Sequence, residues 1–258
     1  MTFRSSASTH VGMVRKINED SFVERTDIGV WAVADGMGGH EAGEVASGTV
    51  TDYIKNLPAE ENFTEMLAAV EQSIAAANRH LVEQAADYHS NRVPGSTVVA
   101  LIVMGDQGAV VWVGDSRIYR RRDKIVSQLT RDHSHVQDLV EQGLILESDA
   151  ESHPMANVIT RAVGIGETLE IESRLMDVRI DDQFLLCSDG LSRLVSNAEI
   201  ESMMAHSDTP EVAKSLLHTA LVRGAPDNVT LICVKDCPAG QEEPDNDEST
   251  LVHSTLSR

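Results

Sequence analysis

Cysteine is scarce in this sequence, and its cysteines are not spaced for a structural role. The three residues, Cys187, Cys233 and Cys237, are odd in number and form no Cys-x-x-Cys pair. Such a set favours reduced thiols over a disulfide framework and argues against a zinc site. We therefore expect a protein of the cytoplasm.

Long apolar segments are also lacking. No apolar core of the kind found in signal peptides occurs near the N-terminus. The longest apolar run, residues 98–104, is far shorter than the roughly 20 residues that a membrane-spanning helix needs. We expect this run to form a buried strand, and we expect no membrane partner.

Positive charge is the third deficit. Lysine and arginine total 21 against 41 aspartates and glutamates, so the formal net charge is -20. Nucleic-acid phosphates would be repelled, and we exclude nucleic acid as a partner. With 258 residues and 41% hydrophobic content, the chain is suited to a soluble globular fold with a substantial core.

Motifs of covalent catalysis are missing as well. The sequence contains neither Gly-x-Ser-x-Gly, which presents a serine nucleophile, nor the phosphate-binding pattern Gly-x4-Gly-Lys. We also expect no cysteine to act from a phosphate-binding Cys-x5-Arg loop. A covalent mechanism therefore has little support.

The stretch 35–40, Asp-Gly-Met-Gly-Gly-His, organises the rest of the chain. It follows an apolar, strand-like run at 30–34, so that Asp35 lies at a rigid strand end. The glycines permit a sharp turn and a close approach of the main chain to a ligand. This arrangement can place a carboxylate and a carbonyl beside a hard cation. Taken alone, the same residues are equally compatible with a plain Asp-Gly turn.

Several other acids also stand at strand ends or turns. Strand ends of stacked sheets can meet at one rim, where carboxylates repel one another unless cations are bound. Oxygen ligands without a His or Cys cluster favour Mg²⁺ or Mn²⁺ over Zn²⁺. Two such ions can acidify a water for hydrolysis of a phosphate ester. The acids of this kind are Asp20, Asp35, Asp115, Asp189 and Asp227.

Periodicity predicts the other elements. Apolar residues at helical spacing predict helices at 40–56 and 63–87, while residues 1–13 carry no clear pattern. Short strands are expected to pair with their neighbours in sequence, as 96–105 with 109–114, 117–122 with 124–130, and 171–180 with 183–188. A capping box at 196–199 and Pro210 predict two further helix starts, and a final strand is expected at 229–234.

Seven short motifs occur in an order that resembles the type 2C, or PPM, family of metal-dependent Ser/Thr protein phosphatases. The resemblance extends over residues 10–235 and is greatest to the compact bacterial members. The motifs are Arg15-x-x-Asn18-Glu19-Asp20, Asp35-Gly36-Met37-Gly38-Gly39, Gly114-Asp115-Ser116-Arg117, Asp132-His133-Ser134, Thr160-Arg161-Ala162-Val163-Gly164, Ser188-Asp189-Gly190-Leu191 and Asp227-Asn228-Val229-Thr230.

The resemblance implies an α/β (α+β) sandwich in which two stacked antiparallel sheets are flanked by helices, with the metal site at one edge. The phosphatase domain would span residues 1–235, and residues 132–160 would form the flap that influences substrate access. Residues 236–258 are acidic and nearly devoid of large apolar groups, which predicts a disordered tail.

The resemblance also implies metal ligands. Asp35 would bridge two ions, and the Gly36 carbonyl would bind the second. Asp189 and Asp227 would complete the first site, while Asp115 together with Asp189 matches a weaker third site. The implied cofactor is Mn²⁺ or Mg²⁺, with two ions in the core and room for a third.

Other residues take roles around these ions. Arg15 would bind the substrate phosphate, although a surface ion pair is the commoner role of such an arginine. Glu19 and Asp20 would hold waters on the metals. Animal members have His after Asp-Gly, where this chain has Met37. His40 and a metal-held water are therefore both candidates for the general acid.

The resemblance implies hydrolysis of phosphoserine and phosphothreonine in proteins, in opposition to a bacterial eukaryotic-like Ser/Thr kinase. We expect a monomer. Two alternatives stay open at this point. A two-metal nuclease or phosphodiesterase would need a basic groove, and a pseudophosphatase that only binds phosphoproteins would be expected to lack a metal acid.

Overall fold

The computed structural model describes residues 2–38, 41–87, 94–150, 153–205 and 208–237. Its strands are β1 (Thr2–His10), β2 (Asp20–Arg25), β3 (Val30–Met37), β4 (Gly95–Ser96), β5 (Val98–Met104), β6 (Gln107–Val113), β7 (Arg117–Arg122), β8 (Ile125–Gln128), β9 (Glu172–Asp177), β10 (Gln183–Cys187) and β11 (Val229–Cys237). Its helices are α1 (Glu41–Lys55), α2 (Phe63–Asp87), α3 (His135–Glu141), α4 (Glu147–Ala150), α5 (Asp189–Ser192), α6 (Asn197–Met203) and α7 (Thr209–Val222).

The strands form two antiparallel sheets. One has the order β1-β11-β10-β7-β8, and the other has the order β2-β3-β5-β6-β9 with the short β4 paired to β3. Helices α1 and α2 cover the outer face of the second sheet, and α5, α6 and α7 cover the outer face of the first. The predicted sandwich of two stacked sheets between helical layers is confirmed.

Both faces of the central strands are buried. Along β5, Val98, Ala100 and Ile102 pack toward α1 and α2, while the alternate residues pack between the two sheets. The side chains of β10 alternate in the same way: some pack between the two sheets, and the others pack against α5, α6 and α7. Because successive side chains of a strand point to opposite faces, a strand buried on both sides has a continuous apolar sequence.

One predicted strand pairing, that of 171–180 with 183–188, was wrong. Strand β9 pairs with β6, whereas β10 lies in the other sheet between β7 and β11. The chain therefore changes sheets between Asp177 and Gln183. It does so again between β6 and β7, at residues 114–116. Short loops usually join paired strands, but in a sandwich an equally short loop can cross the edge from one sheet to the other.

Strand β1 was not predicted. It is a polar edge strand that pairs with β11 from Thr2 to His10. Its main-chain hydrogen bonds form without the apolar alternation that sequence analysis detects. Strand β11 continues to Cys237, so the first two residues of the segment assigned to the acidic tail belong to a strand. Residues 238–258 lie outside the described part of the chain.

The predicted starts of helices α6 and α7 are confirmed. Glu199 accepts a hydrogen bond from the Ser196 backbone in a capping box at the start of α6, and Pro210 lies in the first turn of α7. The predicted flap contains the short helices α3 and α4. None of the helices in the described ranges is long and apolar enough to cross a membrane.

Candidate active site

Two of the predicted acids are brought together by strand register. Asp20 begins β2 and is directly opposite Asp35, which lies near the end of β3. The Gly36 N–H donates to the Glu19 carbonyl at 3.0 Å, which extends this pairing around the strand ends. Two pairs of adjacent residues, 19–20 and 35–36, which are at least 15 positions apart in the sequence, therefore meet at one edge of the sandwich.

Helix α1 approaches this edge so closely that glycine is required. A Cβ atom on Gly36 would lie 2.1 Å from the Gly43 carbonyl oxygen, and a Cβ on Gly43 would lie 2.4 Å from the Glu19 Oε1 atom. Real Cβ atoms do not approach other atoms so closely. The Asp-Gly dipeptide and Gly43 thus allow the helix, the strand end and the Glu19 carboxylate to share one small volume.

Asp189 and Asp227 come from the other sheet. Asp189 begins α5 directly after β10, and Asp227 precedes β11. A Cβ on Gly190 would lie 1.9 Å from the Asn228 carbonyl oxygen, so only glycine permits this contact between the two loops. The contact joins the loops that carry the two aspartates.

Asn228 ties the Arg15 loop to the same edge. Its side chain donates to the Val11 and Ile17 carbonyls at 2.9 and 3.0 Å and accepts from the Glu19 N–H at 2.8 Å. All polar atoms of this amide are therefore engaged. The loop between β1 and β2 is held against the start of β11 by one side chain.

Asp115 lies in the loop where the chain crosses between the sheets. Gly114 has a φ of 108°, and its N–H donates to Nδ1 of the buried His133 at 3.1 Å. Because Nδ1 accepts, the proton of a neutral His133 is on Nε2, which lies 3.1 Å from Glu172 Oε1. The loop is further held by the contact of Ser116 with Thr97 at 2.7 Å. Asp115 is therefore presented by a rigid turn.

Asp20 has a half-satisfied carboxylate. Its Oδ2 accepts from the Ser188 hydroxyl at 2.9 Å, whereas the buried Oδ1 has no hydrogen-bond partner among the described residues. Burial raises the pKa of Asp20 to about 7, with the hydrogen bond from Ser188 opposing the shift and the charges of Asp189 and Asp227 adding to it.

Asp35 is at the centre of the acidic group. Burial raises its pKa well above the ordinary value, and the charges of four neighbouring aspartates raise it further. These neighbours are Asp20, Asp189, Asp115 and Asp227. The structure thus brings all five predicted strand-end acids within electrostatic reach of one another.

Two arginines border the acids. The Arg15 Nη2 atom donates to Asp227 Oδ2 at 2.8 Å, and both side chains are about half exposed. Arg193 Nη2 lies 2.8 Å from Asp189 Oδ2 and 3.2 Å from Asp115 Oδ2. Two guanidinium groups against five buried or half-buried acids leave the edge with an excess of negative charge.

These groups line a cleft of about 290 Å³. Its walls also include Glu19, the Gly36–Gly38 turn, and Asn157 and Ile159 of the flap. Arg15, Glu19, Asp35, Gly36, Asp115, Asp189 and Asp227 therefore share one cavity. Asp20 lies behind Asp35. His40 lies outside the described residues.

The donors suit a hard divalent cation. They are carboxylate and carbonyl oxygens, and the buried Oδ1 of Asp20, opposite Asp35 in the strand register, is an acceptor without a hydrogen-bond partner among the described residues. No group of three or more His, Cys, Asp and Glu side chains in the described part of the chain is arranged to hold a metal by itself. The set therefore fits Mg²⁺-type binding, in which carboxylates act together with waters and substrate oxygens.

One expectation about cysteine needs correction. Cys187 and Arg193 do have the spacing Cys-x5-Arg. The structure nevertheless excludes a phosphate-binding thiolate at this position, because Cys187 is fully buried in β10 and burial raises the pKa of its thiol to about 12. The absence of a cysteine nucleophile thus rests on burial and not on spacing.

Sequence analysis missed several residues that support the site. Ser188 holds Asp20, Thr97 accepts from the Asp35 N–H at 3.1 Å, and Asn228 holds the Arg15 loop. Ser188 and Asn228 stand inside motifs that were identified, directly beside predicted ligands. Arg193 follows Asp189 by four residues, and this spacing predicts a contact only once α5 is known to be a helix.

The two-sheet sandwich and its acidic edge are those of the PPM class of phosphatases. A family model described as protein phosphatase 2C matches residues 14–222. The chain belongs to this family.

Relatives agree with this assignment. The serine/threonine protein phosphatase PstP of Mycobacterium tuberculosis is 35% identical over 100% of this chain, and this chain spans 52% of that protein, or about half of its length. The structure of PppA, a key regulatory component of T6SS in Pseudomonas aeruginosa, is similar to this chain with a TM-score of 0.85 and 40% identity, covering 91% of this chain and 98% of that one. The catalytic domain of PstP in complex with 2 manganese ions has a TM-score of 0.83 and 35% identity, covering 90% and 97% of the two chains.

Proposed function

We propose that this chain is a metal-dependent protein phosphatase that hydrolyses phosphoserine and phosphothreonine. The observation that carries the proposal is the convergence of four strand-end aspartates on one cleft that Arg15 also borders, with Asp20 paired to Asp35 beside them. Such an excess of buried carboxylates destabilises a protein unless cations bind there. The relatives named as Ser/Thr phosphatases, and the manganese in one of them, support the same conclusion.

The resemblance to the PPM family implies a set of cation ligands, and the placement of the acids supports it. Asp35, between the other carboxylates, would bridge two Mn²⁺ or Mg²⁺ ions, with the Gly36 carbonyl on one ion and Asp189 and Asp227 on the other. When bound, the ions supply an acidified water and neutralise the phosphoryl charge for direct hydrolysis.

The protein's own groups orient the reactants. Arg15 is about half exposed and paired with Asp227, so its planar fork can turn to the oxygens of a phosphoryl group in the cleft. The buried Oδ1 of Asp20 can accept a hydrogen bond from a water that enters the site. Glu19, which borders the cleft, would hold a second water. His40 and a water of the site remain the candidates that protonate the leaving serine or threonine oxygen.

The substrates we propose are phosphoproteins, including a cognate Ser/Thr kinase and the targets of that kinase. We propose that the chain acts in the cytoplasm as a monomer. The excess of acidic residues disfavours nucleic acid as a substrate.

The proposal is tested by hydrolysis of a phosphothreonine peptide with Mn²⁺, with EDTA, and with the variant Asp189→Asn. We expect activity only with Mn²⁺ and a fall of at least about a hundredfold in the variant, because a ligand charge is lost at the reacting centre. The matched control is Asp177→Asn, which removes an exposed carboxylate from the opposite end of the sheets. This control should retain full activity.

Other outcomes would separate the alternatives. Activity that survives both EDTA and Asp189→Asn contradicts the metal mechanism. An intact, metal-loaded protein that binds the phosphopeptide without hydrolysing it is a phosphoprotein-binding module and not an enzyme. Hydrolysis of phosphodiesters in preference to the peptide would favour the nuclease or phosphodiesterase class.

A further inference from the structure

Arg193 makes the most unusual contacts at the acidic edge. It caps the C-terminus of α5, one helical turn after Asp189, and its side chain is 36% exposed. A single nitrogen, Nη2, lies 2.8 Å from Asp189 Oδ2 and 3.2 Å from Asp115 Oδ2. The same atom of one guanidinium therefore serves two carboxylates that come from different loops.

These two carboxylates are the pair assigned above to a weaker third ion. An ion bound to both Oδ2 atoms would compete with Nη2, which already contacts both of them. The negative charges of Asp115 and Asp189 both attract the guanidinium group of Arg193.

The other end of the guanidinium is also fixed. Nη1 donates to Oδ1 of Asn157, a flap residue that borders the cleft. Arg193 thereby connects the flap to the acid pair and also separates the cleft from a neighbouring cavity of about 140 Å³ under α3. A side chain held at both ends by charge-assisted hydrogen bonds is not readily displaced.

We propose that Arg193 is a resident cation of this site: its guanidinium takes the position between Asp115 and Asp189, so that the chain binds two divalent ions and not three. The inference rests on the metal dependence in the proposed function. It assigns to Arg193 a positioning role, in which a fixed monovalent charge holds Asp115, Asp189 and the flap residue Asn157 together.

The test counts the ions bound to the full chain. Mn²⁺ is titrated calorimetrically into the metal-free protein, and anomalous diffraction locates the ions in crystals soaked with Mn²⁺. We expect two ions for the wild type and three for Arg193→Ala, with the additional ion between Asp115 and Asp189. Arg193→Met, which keeps the apolar stem of the side chain, should also bind three.

Two controls make the count specific. Arg179→Ala removes the same charge from an exposed arginine at the opposite end of the sheets and should leave two ions. The double variant Arg193→Ala/Asp115→Asn should return the count from three to two. A third ion that persists in the double variant lies elsewhere and overturns the proposal.

The remaining outcomes are equally decisive. Three ions in the wild type, or two in both Arg193 variants, would show that Arg193 does not exclude an ion. That result would leave the proposed phosphatase function intact. A wild type that binds no Mn²⁺ would overturn the role of Arg193 and the metal-dependent function together.

Discussion

Strand β7 connects two ends of the sandwich that contain buried carboxylates in different surroundings. At its C-terminal end, Arg122 donates to both oxygens of the buried Asp182 at 2.8 and 2.6 Å and also contacts Asp177. A hydrogen bond from Arg179 lowers the pKa of Asp177. Acids and arginines are matched there in number and geometry.

The N-terminal end of β7 leads to the candidate active site, where the acids outnumber the arginines. Burial raises the pKa values of Asp20, Asp35, Asp115 and Asp189. Arginine pairing at one end stabilises the fold, whereas unmatched charge at the other end costs stability and is retained because it can bind cations. The comparison indicates that a functional acid is distinguished by its surroundings and not by burial alone.

The largest expected effect comes from removing the central unmatched charge. Asp35→Asn should lower phosphatase activity by at least about a thousandfold, which corresponds to several kcal/mol of transition-state stabilisation. The same substitution should raise the melting temperature of the protein in EDTA, because it removes like-charge repulsion from a buried site. Peptide hydrolysis and thermal melting measure the two effects. A lower melting temperature in EDTA would contradict this account of the acidic edge.

The second largest effect is expected at the other end of the sandwich, where Arg122 is paired with Asp182. Asp182→Asn should destabilise the protein by about 3 kcal/mol, because it leaves the half-buried Arg122 charge without its main partner. Urea unfolding measures the change, and activity at low temperature should persist. Asp181→Asn is the control, since Asp181 is the exposed neighbour and its positive φ of 71° suits Asn. Equal effects of the two substitutions would refute the role given to the pair.

The smallest expected effect is a pH dependence of the metal-free protein. A carboxyl whose pKa is raised on folding binds its proton more tightly in the folded state, so stability falls as pH rises from about 4 to about 7. Burial lowers the pKa of His133, and this group acts in the opposite sense. The informative quantity is therefore the difference in melting temperature between pH 5 and pH 8 for the wild type and for Asp115→Asn, in EDTA. The variant should lose part of the decline, and an identical decline would contradict the shifted pKa of Asp115.

The parts of the fold that could be predicted are those that local chemistry specifies. Strand β5 and helix α2 follow from apolar runs and from periodicity, and the start of α6 follows from its capping box. Strand β1 could not be predicted, because its stability comes from main-chain pairing with β11, more than 200 residues away. The sheet crossing between β9 and β10 was mistaken for a hairpin because loop length alone does not show which sheet the next strand joins.

The candidate active site also has parts that local sequence specifies and parts that only long-range contacts decide. Asp35, Asp189 and Asp227 could be identified from the order of short motifs, and each of them stands at a strand end as expected. The contacts of Ser188 with Asp20 and of Arg193 with Asp115 join residues that are 168 and 78 positions apart. No local pattern specifies such contacts.

The sequence by itself determined the family, the sandwich of two sheets and the set of acids, because strand patterns, Asp-Gly turns and motif order are local properties of the chain. The tertiary structure alone decided that these acids share one cleft, that Arg122 neutralises the acids at the opposite end, and that Arg193 lies between two of the candidate ligands. Charge pairing and burial depend on distances through space, and these distances are fixed only when the two sheets pack against each other.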